Sequence, residues 1–308
     1  MNESCIKVEN LKKSYGSVQA VDGISFQVES GTVFGMLGPN GAGKSTTIEI
    51  LTGLQAKDQG EIEILGMEVE KDSQPLKERL GVQLQSPALF GKLNIRELVT
   101  LFASFYQDPL DPETVISLVG LEDKLKEKTE NLSGGQRHRL AVALAIVGNG
   151  DIIFLDEPTT GLDPQSRRKL WGVITELKEL GKTIFLTTHY MDEAEILCDQ
   201  LIIIDRGKII ASGRPDSLIA EHFTEDALEF TNPSFTASQI NGFKELRGVT
   251  GVNLSSEDIV LLYTINAPET IADLMALAEN EGKNINGLKL RKASLDDLFL
   301  KLTGREIR

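Results

Sequence analysis

Nine consecutive residues carry the densest chemistry in this chain. From Gly38 the sequence runs GPNGAGKST: Gly38, Pro39, Asn40, Gly41, Ala42, Gly43, Lys44, Ser45 and Thr46. In the spacing G-x-x-x-x-G-K-[ST], glycines let the backbone turn its N–H groups inward around a phosphate chain, with no side chain in the way. The loop leaves an apolar run, Val33 to Leu37, and enters a helical pattern, so the free N–H groups of that helix face the same anion. Lys44 is placed to reach the β and γ phosphates of a nucleotide, and the Ser45 hydroxyl to ligate Mg2+. A second centre lies at Asp156 and Glu157, which close the apolar run Ile152 to Leu155. Ionised carboxylates are costly to desolvate, so two at the end of a buried strand imply a cation or a reaction. Of the three histidines, His189 alone closes a strand-like run, Ile184 to Thr188, while His138 and His222 read as surface residues.

These side chains need a scaffold that brings several strand ends together. The runs Val33 to Leu37, Ile152 to Leu155, Thr183 to Leu186 and Leu201 to Ile204 are continuously apolar rather than alternating, as strands buried on both faces of a parallel sheet are. Helical patterns at Lys44 to Leu54, Arg137 to Val147 and Gln165 to Leu180 alternate with them, which implies an α/β layered core of the P-loop kind. Between about residues 88 and 150 the pattern is mostly helical, punctuated by Pro109 and Pro112, and reads as an inserted helical subdomain. Residues 1–218 are expected to form this nucleotide-binding unit. Residues 219–308 show a second rhythm in the order β-α-β-β-α-β and predict a small α+β domain of ferredoxin-like type. Its strands fall near Ala227 to Thr231, Gly251 to Leu254, Ile259 to Ile265 and Ile285 to Leu290, with helices near Ser238 to Leu246 and from Pro268. The face of the latter is Ile271, Leu274, Met275 and Ala278. A last helix, capped by Ser294, is expected to bury Leu295, Leu298, Phe299 and Leu302.

Composition excludes several classes. With 308 residues, about two domains are expected. Lys plus Arg number 32 against 46 Asp plus Glu, a net charge of −14, which argues against nucleic acid as a partner. The longest apolar stretch, Leu140 to Gly148, is far short of a spanning helix, and the opening MNESCIKVEN lacks the apolar core of a signal peptide. The expected location is therefore cytoplasmic. Two cysteines, Cys5 and Cys198, are too few for a disulfide framework and read as packing.

A phosphate loop alone fits many enzymes, and the segment Leu132, Ser133, Gly134, Gly135, Gln136 narrows the choice. Its sequence LSGGQ precedes a basic helix start, Arg137 to Arg139. Here residues 4 to 218 resemble the ABC ATPase family. The resemblance implies ATP and Mg2+ as ligands and ATP hydrolysis as the reaction. It implies that Asp156 serves Mg2+, that Glu157 is the general base and that His189 is a switch histidine near the γ-phosphate. Gln85 of LGVQLQ would ligate Mg2+ and sense the transport partner, preferred over Gln83 because Ser86 and Pro87 lead it into a loop. Tyr15 would stack on adenine. Ser133, Gly134 and Gly135 would bind the γ-phosphate held by a second copy, and Asp163 of the GLDP segment would cross to that copy.

The same resemblance implies a head-to-tail homodimer glued by ATP. It also implies a separate polytopic membrane permease, docked near Gln85 and the helical subdomain, which holds this chain at the inner face of the membrane. The variant Gly161 before Leu162, the segment THYMDEAE from Thr188 and the ending SLDDLFLKLTGRE are similar to ATP-binding subunits of drug, antibiotic and lipid exporters. A sodium or other small-ion exporter subunit, and a soluble non-transport ABC ATPase, are the alternatives.

Overall fold

In the computed structural model, which describes residues 3–71, 73–85, 89–254 and 258–304, the chain divides into two compact units, one up to Pro215 and one from Asp216 onward. The first unit opens with two long antiparallel strands, β1 (Ser4–Tyr15) and β2 (Val18–Glu29). Strand β3 (Val33–Leu37) then leads through the phosphate-type loop into helix α1 (Lys44–Leu51). Strands β4 (Gln59–Ile64) and β5 (Met67–Glu68) follow, then a short helix α2 (Ser73–Lys77) and strand β6 (Leu80–Gln83). Helices α3 (Ile95–Ala103), α4 (Pro112–Leu118) and α5 (Gly134–Ile146) come next. The remainder alternates: β7 (Ile152–Asp156), α6 (Pro164–Glu179), β8 (Thr183–Thr188), α7 (Met191–Leu197), β9 (Gln200–Asp205) and β10 (Lys208–Gly213).

The central sheet has the order β10-β9-β3-β8-β7-β6, parallel except for β10 at its edge. Strands β3, β7 and β8 are buried along their whole length, which is why they are apolar without alternation. The parallel register aligns their C-terminal ends: Leu37 pairs with Thr188, and Asp156 with Thr187. Chemistry-bearing residues that follow these strands are thereby gathered at one edge of the sheet.

A second, antiparallel sheet, β2-β1-β4-β5, was not anticipated from the sequence. It is joined to the first by aromatic packing. Phe26 of β2 stacks on Phe34 of β3 at 5.6 Å, Phe34 on Phe185 of β8 at 5.5 Å, and Phe185 contacts Phe154 of β7 at 5.5 Å. The inserted segment is helical as expected, with Pro112 in the first turn of α4, where its missing N–H costs nothing.

The second unit contains α8 (Pro215–His222), β11 (Asp226–Thr231), α9 (Ala237–Gly242), β12 (Val249–Leu254), β13 (Ile259–Thr264), α10 (Ala267–Asn280), β14 (Asn286–Lys292) and α11 (Leu295–Thr303). Its sheet order is β12-β13-β11-β14 with every neighbour antiparallel, the ferredoxin-like arrangement. Ser294 and Asp297 form a capping box at α11. Leu302, expected to be buried, is instead 37% exposed, and Met275 on the apolar face of α10 is 41% exposed, because each lies at the margin of its helix's apolar stripe. The expected helix to Leu246 ends as α9 at Gly242, followed by a 3-10 turn.

Gly81 in β6 lies where α5 presses on the sheet. A methyl group there would meet the Ala145 carbonyl oxygen at 2.0 Å, so the helix and strand approach only because the side chain is absent. Gly81→Ala is expected to destabilise the unit by about 2–3 kcal/mol. Gly172→Ala, in the interior of α6 with nothing within 4 Å, should stabilise it by about 1 kcal/mol. Urea unfolding of both variants beside the parent checks this, and equal midpoints would show that β6 and α5 can separate freely.

Candidate active site

The loop from Gly38 to Thr46 wraps the start of α1. Gly41 and Gly43 have φ of 79° and 109°, conformations that other residues rarely adopt. Gly38 and Gly43 are also crowded: an added methyl would strike the carbonyl oxygens of Ile204 and Ala20, each at 2.3 Å. The Gly38 N–H donates to Thr188 at 3.3 Å, tying the loop to the end of β8. Asn40 and Gly41 are exposed at the loop's tip and Ala42 is buried, while Pro39, Ser45 and Thr46 are half-buried.

Lys44 is 4% exposed and folds back over its own loop. Its Nζ donates to the carbonyls of Gly38 at 2.7 Å and Pro39 at 3.1 Å, and lies 3.1 Å from Glu157 Oε1. The other oxygen of Glu157 gathers three more groups. Gln85 Nε2 donates to it at 3.2 Å, Thr160 Oγ1 donates at 3.1 Å, and His189 Nδ1 stands 3.2 Å away. Three segments remote in sequence, with the neighbouring Thr160, thus converge on one carboxylate. Burial would push the Glu157 carboxyl up, but the imidazole of His189 and the ammonium of Lys44 outweigh it and hold the carboxyl at about 2.

Thr187, which the sequence reading passed over, arranges both acids. Its hydroxyl donates to Asp156 Oδ1, and the same oxygen accepts the Glu157 N–H at 3.0 Å. Glu157 sits at φ 47°, a left-handed conformation that costs a non-glycine residue on the order of 1 kcal/mol. The available signal was weak, one of three threonines in the strand TIFLTT, directly after the apolar run Ile184 to Leu186. Gln83 is buried and bonds the carbonyls of Leu84 and Asp156, a structural role, whereas Gln85 is exposed and reaches Glu157. Ser86 and Pro87 lie outside the described residues.

Tyr15, at the end of β1, is 46% exposed, with Lys13 Nζ 5.5 Å from its ring. The LSGGQ residues stand apart from the Glu157 cluster in their hydrogen bonds. Leu132 is buried, and Ser133 caps α5 through a reciprocal pair with Gln136: Gln136 N donates to Ser133 Oγ at 3.3 Å and Ser133 N to Gln136 Oε1 at 2.9 Å. Gly134 faces open space, while a methyl on Gly135 would meet Ser166 Oγ at 2.9 Å. Asp163 caps α6, accepting from Gln165 N, Ser166 N and, at 2.6 Å, Ser166 Oγ, and these bonds hold its carboxyl below the usual range. The N-termini of α5 and α6 therefore touch through Gly135 and Ser166.

His138 is half-buried rather than a freely exposed surface residue. Its Nδ1 lies 3.1 Å from the Pro158 carbonyl, next to Glu157, and burial lowers its pKa. His222 is likewise half-buried, with Nδ1 2.9 Å from the Leu218 carbonyl. Both cysteines are free and buried, as packing residues are.

Asp156, Ser45 and Gln85 offer hard oxygen donors, and among the described residues no group of three or more His, Cys, Asp and Glu forms a metal cage. A single carboxylate with a hydroxyl and an amide suits Mg2+ shared with phosphate oxygens and water better than a metal held by protein alone.

The family model described as ABC transporter matches residues 21–160. The chain is 38% identical to Nod factor export ATP-binding protein I of Paraburkholderia xenovorans (strain LB400), across 100% of this chain and 99% of that protein. It is 33% identical to linearmycin resistance ATP-binding protein LnrL of Bacillus subtilis (strain 168), across 98% and 99%. Among solved structures, it resembles an ATP-binding cassette in a dimeric post-hydrolysis state bound to ADP and Pi. There the TM-score is 0.63, with 26% identity over 68% of this chain and 98% of that one. It also resembles cbiO1 from Clostridium perfringens, part of an ABC transporter complex, with a TM-score of 0.64 and 30% identity over 71% and 92%.

The depressed Glu157 pKa has a measurable consequence. Folded Glu157 titrates near 2 and an ordinary glutamate near 4.5. Between these values the unfolded chain binds more protons, so the stability contributed by Glu157 is present above pH 4.5 and is lost as pH falls through 2. The difference in unfolding free energy between the parent and Glu157→Gln is expected to shrink steadily from pH 5 to pH 2. A difference independent of pH would mean that Glu157 is not held ionised by Lys44 and His189.

Proposed function

The chain belongs to the ABC transporter family as an ATP-binding subunit, and from that membership we propose that it powers export of a drug, antibiotic or lipid-like cargo through a separate permease. Subunits of this family hydrolyse ATP to ADP and phosphate, form dimers and work with membrane permeases. Among the described residues no helix is long and apolar enough to cross a membrane, and the family membership implies a separate permease as the translocation path. The export reading draws on relatives whose names specify Nod factor export and linearmycin resistance, each aligned along almost the whole chain, second unit included. Docking of the permease beside Gln85 and the helical subdomain holds the chain at the cytoplasmic face of the membrane.

One observation carries the catalytic reading: Lys44, Gln85, Thr160 and His189 all converge on Glu157 beside the phosphate-type loop. A γ-phosphate at the start of α1 draws Lys44 Nζ away from Glu157. Loss of that cation, and the approach of phosphate charge, raise the Glu157 pKa from about 2 toward a value at which it accepts a proton from the attacking water. His189, 3.2 Å from the same carboxylate, orients the water and contacts the γ-phosphate. Asp156, Ser45 and Gln85 hold Mg2+, which supplies charge neutralisation for the phosphate oxygens. Tyr15 stacks on the adenine through its exposed ring.

Each site is completed by a second copy in head-to-tail contact. Ser133 spends its hydrogen bonds on its own helix cap, and Gly134 opens onto free space, leaving the N-terminus of α5 an unblocked positive dipole end. The γ-phosphate of the partner's nucleotide fits that end, and Asp163 crosses the same junction. ATP then joins the copies, and hydrolysis releases them.

Glu157→Gln is expected to lower turnover by at least about a hundredfold while ATP and Mg2+ trap a dimer that survives size-exclusion chromatography. Near-normal hydrolysis in this variant would remove Glu157 from the role of base. Ser133→Arg mixed with Lys44→Ala should leave one intact composite site per mixed dimer, with ATPase restored above that of either variant alone. Failure of the mixture to regain activity would overturn the head-to-tail arrangement.

A further inference from the structure

Glu157 and His189 stand on separate segments, and both segments reach back to a third carboxyl that the chemistry above does not use. Glu193, in the first turn of α7, has no exposed surface. Its Oε1 accepts the indole N–H of Trp171 on α6 at 2.9 Å. The hydroxyls of Thr188, immediately before His189, and of Thr159, two residues beyond Glu157, face the same carboxyl, and the charge of Arg167 acts on it from α6. The Arg167 guanidinium lies 4.1 Å over the Tyr190 ring and 3.5 Å from Asp192. The Tyr190 ring in turn lies 4.2 Å from that of His189. Residues 189–193 are therefore gripped by α6 at two points.

A carboxyl so deeply buried needs its hydrogen bonds made, and here they are only partly made. Glu193 Oε2 and Thr159 Oγ1 are both buried without a hydrogen-bond partner of good geometry, and His189 Nδ1 and Arg167 Nε share that condition. Buried polar groups gathered at one junction couple the segments that carry them, so a small displacement of one segment is felt by the others. Helix α6 is capped by Asp163, so a displacement arriving at that end is carried by Trp171 and Arg167 to the turn that holds His189.

We propose that Glu193 is a positioning residue for ATP hydrolysis: its carboxyl joins the loop after Glu157, the strand end bearing His189 and helix α6, and so sets the imidazole against the Glu157 carboxylate. The proposal rests on the assignment of Glu157 and His189 to hydrolysis. Glu193 touches neither the nucleotide nor the water and acts through the positions of others.

Trp171 is the single tryptophan of the chain, so its fluorescence reads this contact directly. The test uses the full chain, steady-state ATPase kinetics, and Trp171 emission with a non-hydrolysable ATP analogue and Mg2+. Glu193→Ala is expected to lower kcat at least about tenfold while KM for ATP stays within about threefold. The emission change that the analogue produces in the parent should vanish in this variant. Glu193→Gln keeps an acceptor for the indole and should retain kcat within about threefold, together with the emission change. Trp171→Phe leaves the carboxyl but removes its donor, and is expected to lower kcat without raising KM; it decides the matter if Glu193→Ala fails to fold. Wild-type kcat in either Glu193→Ala or Trp171→Phe, or a KM that rises in step with the loss, overturns the proposal. His189→Ala separates the two levels. If it retains full turnover, the catalytic assignment and this inference both fall; if it is inactive while Glu193→Ala turns over normally, the inference alone falls.

Discussion

A carboxylate with 3% of its surface exposed must be neutralised within a few ångströms or give up its charge, and Glu157 keeps its charge. The Lys44 ammonium lies on one oxygen; Gln85, Thr160 and His189 surround the other. No single segment could supply this set, because the five residues come from four places along the chain, Glu157 and Thr160 sharing one. They meet only because β3, β6, β7 and β8 lie in one sheet and run the same way. The charge on Glu157 and the parallel register of the sheet therefore imply one another: a strand displaced by one residue would turn its terminal side chain to the opposite face.

The same economy governs the loop that follows β3. Gly38 and Gly43 pass within reach of the Ile204 and Ala20 carbonyls, so the loop is pressed against β9 and β2 as well as wrapped around the start of α1. Gly43 thus serves two constraints at once, positive φ and close approach, Gly38 serves close approach, and the antiparallel sheet takes part in holding the phosphate loop. Helices α5 and α6 repeat the logic: Ser133 and Asp163 cap them, and Gly135 lets their N-termini touch through Ser166. Two positive dipole ends brought together form a surface that favours negative charge.

The second unit is organised around a different buried charge. Asp297, 1% exposed, accepts from Arg291 and from the Tyr263 hydroxyl at 2.8 Å, while Arg291 also bonds Glu229. These residues link β11, β13, β14 and the start of α11, so the capping acid of the last helix also fastens three of the four strands of the sheet. The aromatic cluster Phe230, Phe235 and Phe243 fills the opposite face with α9 and α10.

Much of this was legible from residue type and spacing alone. Glycines that only a cradle needs, acids at the end of an apolar run and a capping serine before two glycines are local signals, because the constraint and the residue that satisfies it lie within a few positions of each other. The continuous apolar strands and the β-α-β-β-α-β rhythm are local in the same sense. What tertiary structure decided is everything set by long-range pairing. The strands of β1 and β2 alternate irregularly and were missed, because bulges break their period. Thr187 looked like any strand residue until β8 was placed beside β7, where its hydroxyl meets both acids. His138 appeared to be a polar residue at a helix start until α5 was brought against the Pro158 carbonyl. Motif residues announce themselves because their chemistry is self-contained, whereas supporting residues are defined by neighbours more than a dozen positions away, and only the packed chain brings those neighbours within a hydrogen bond.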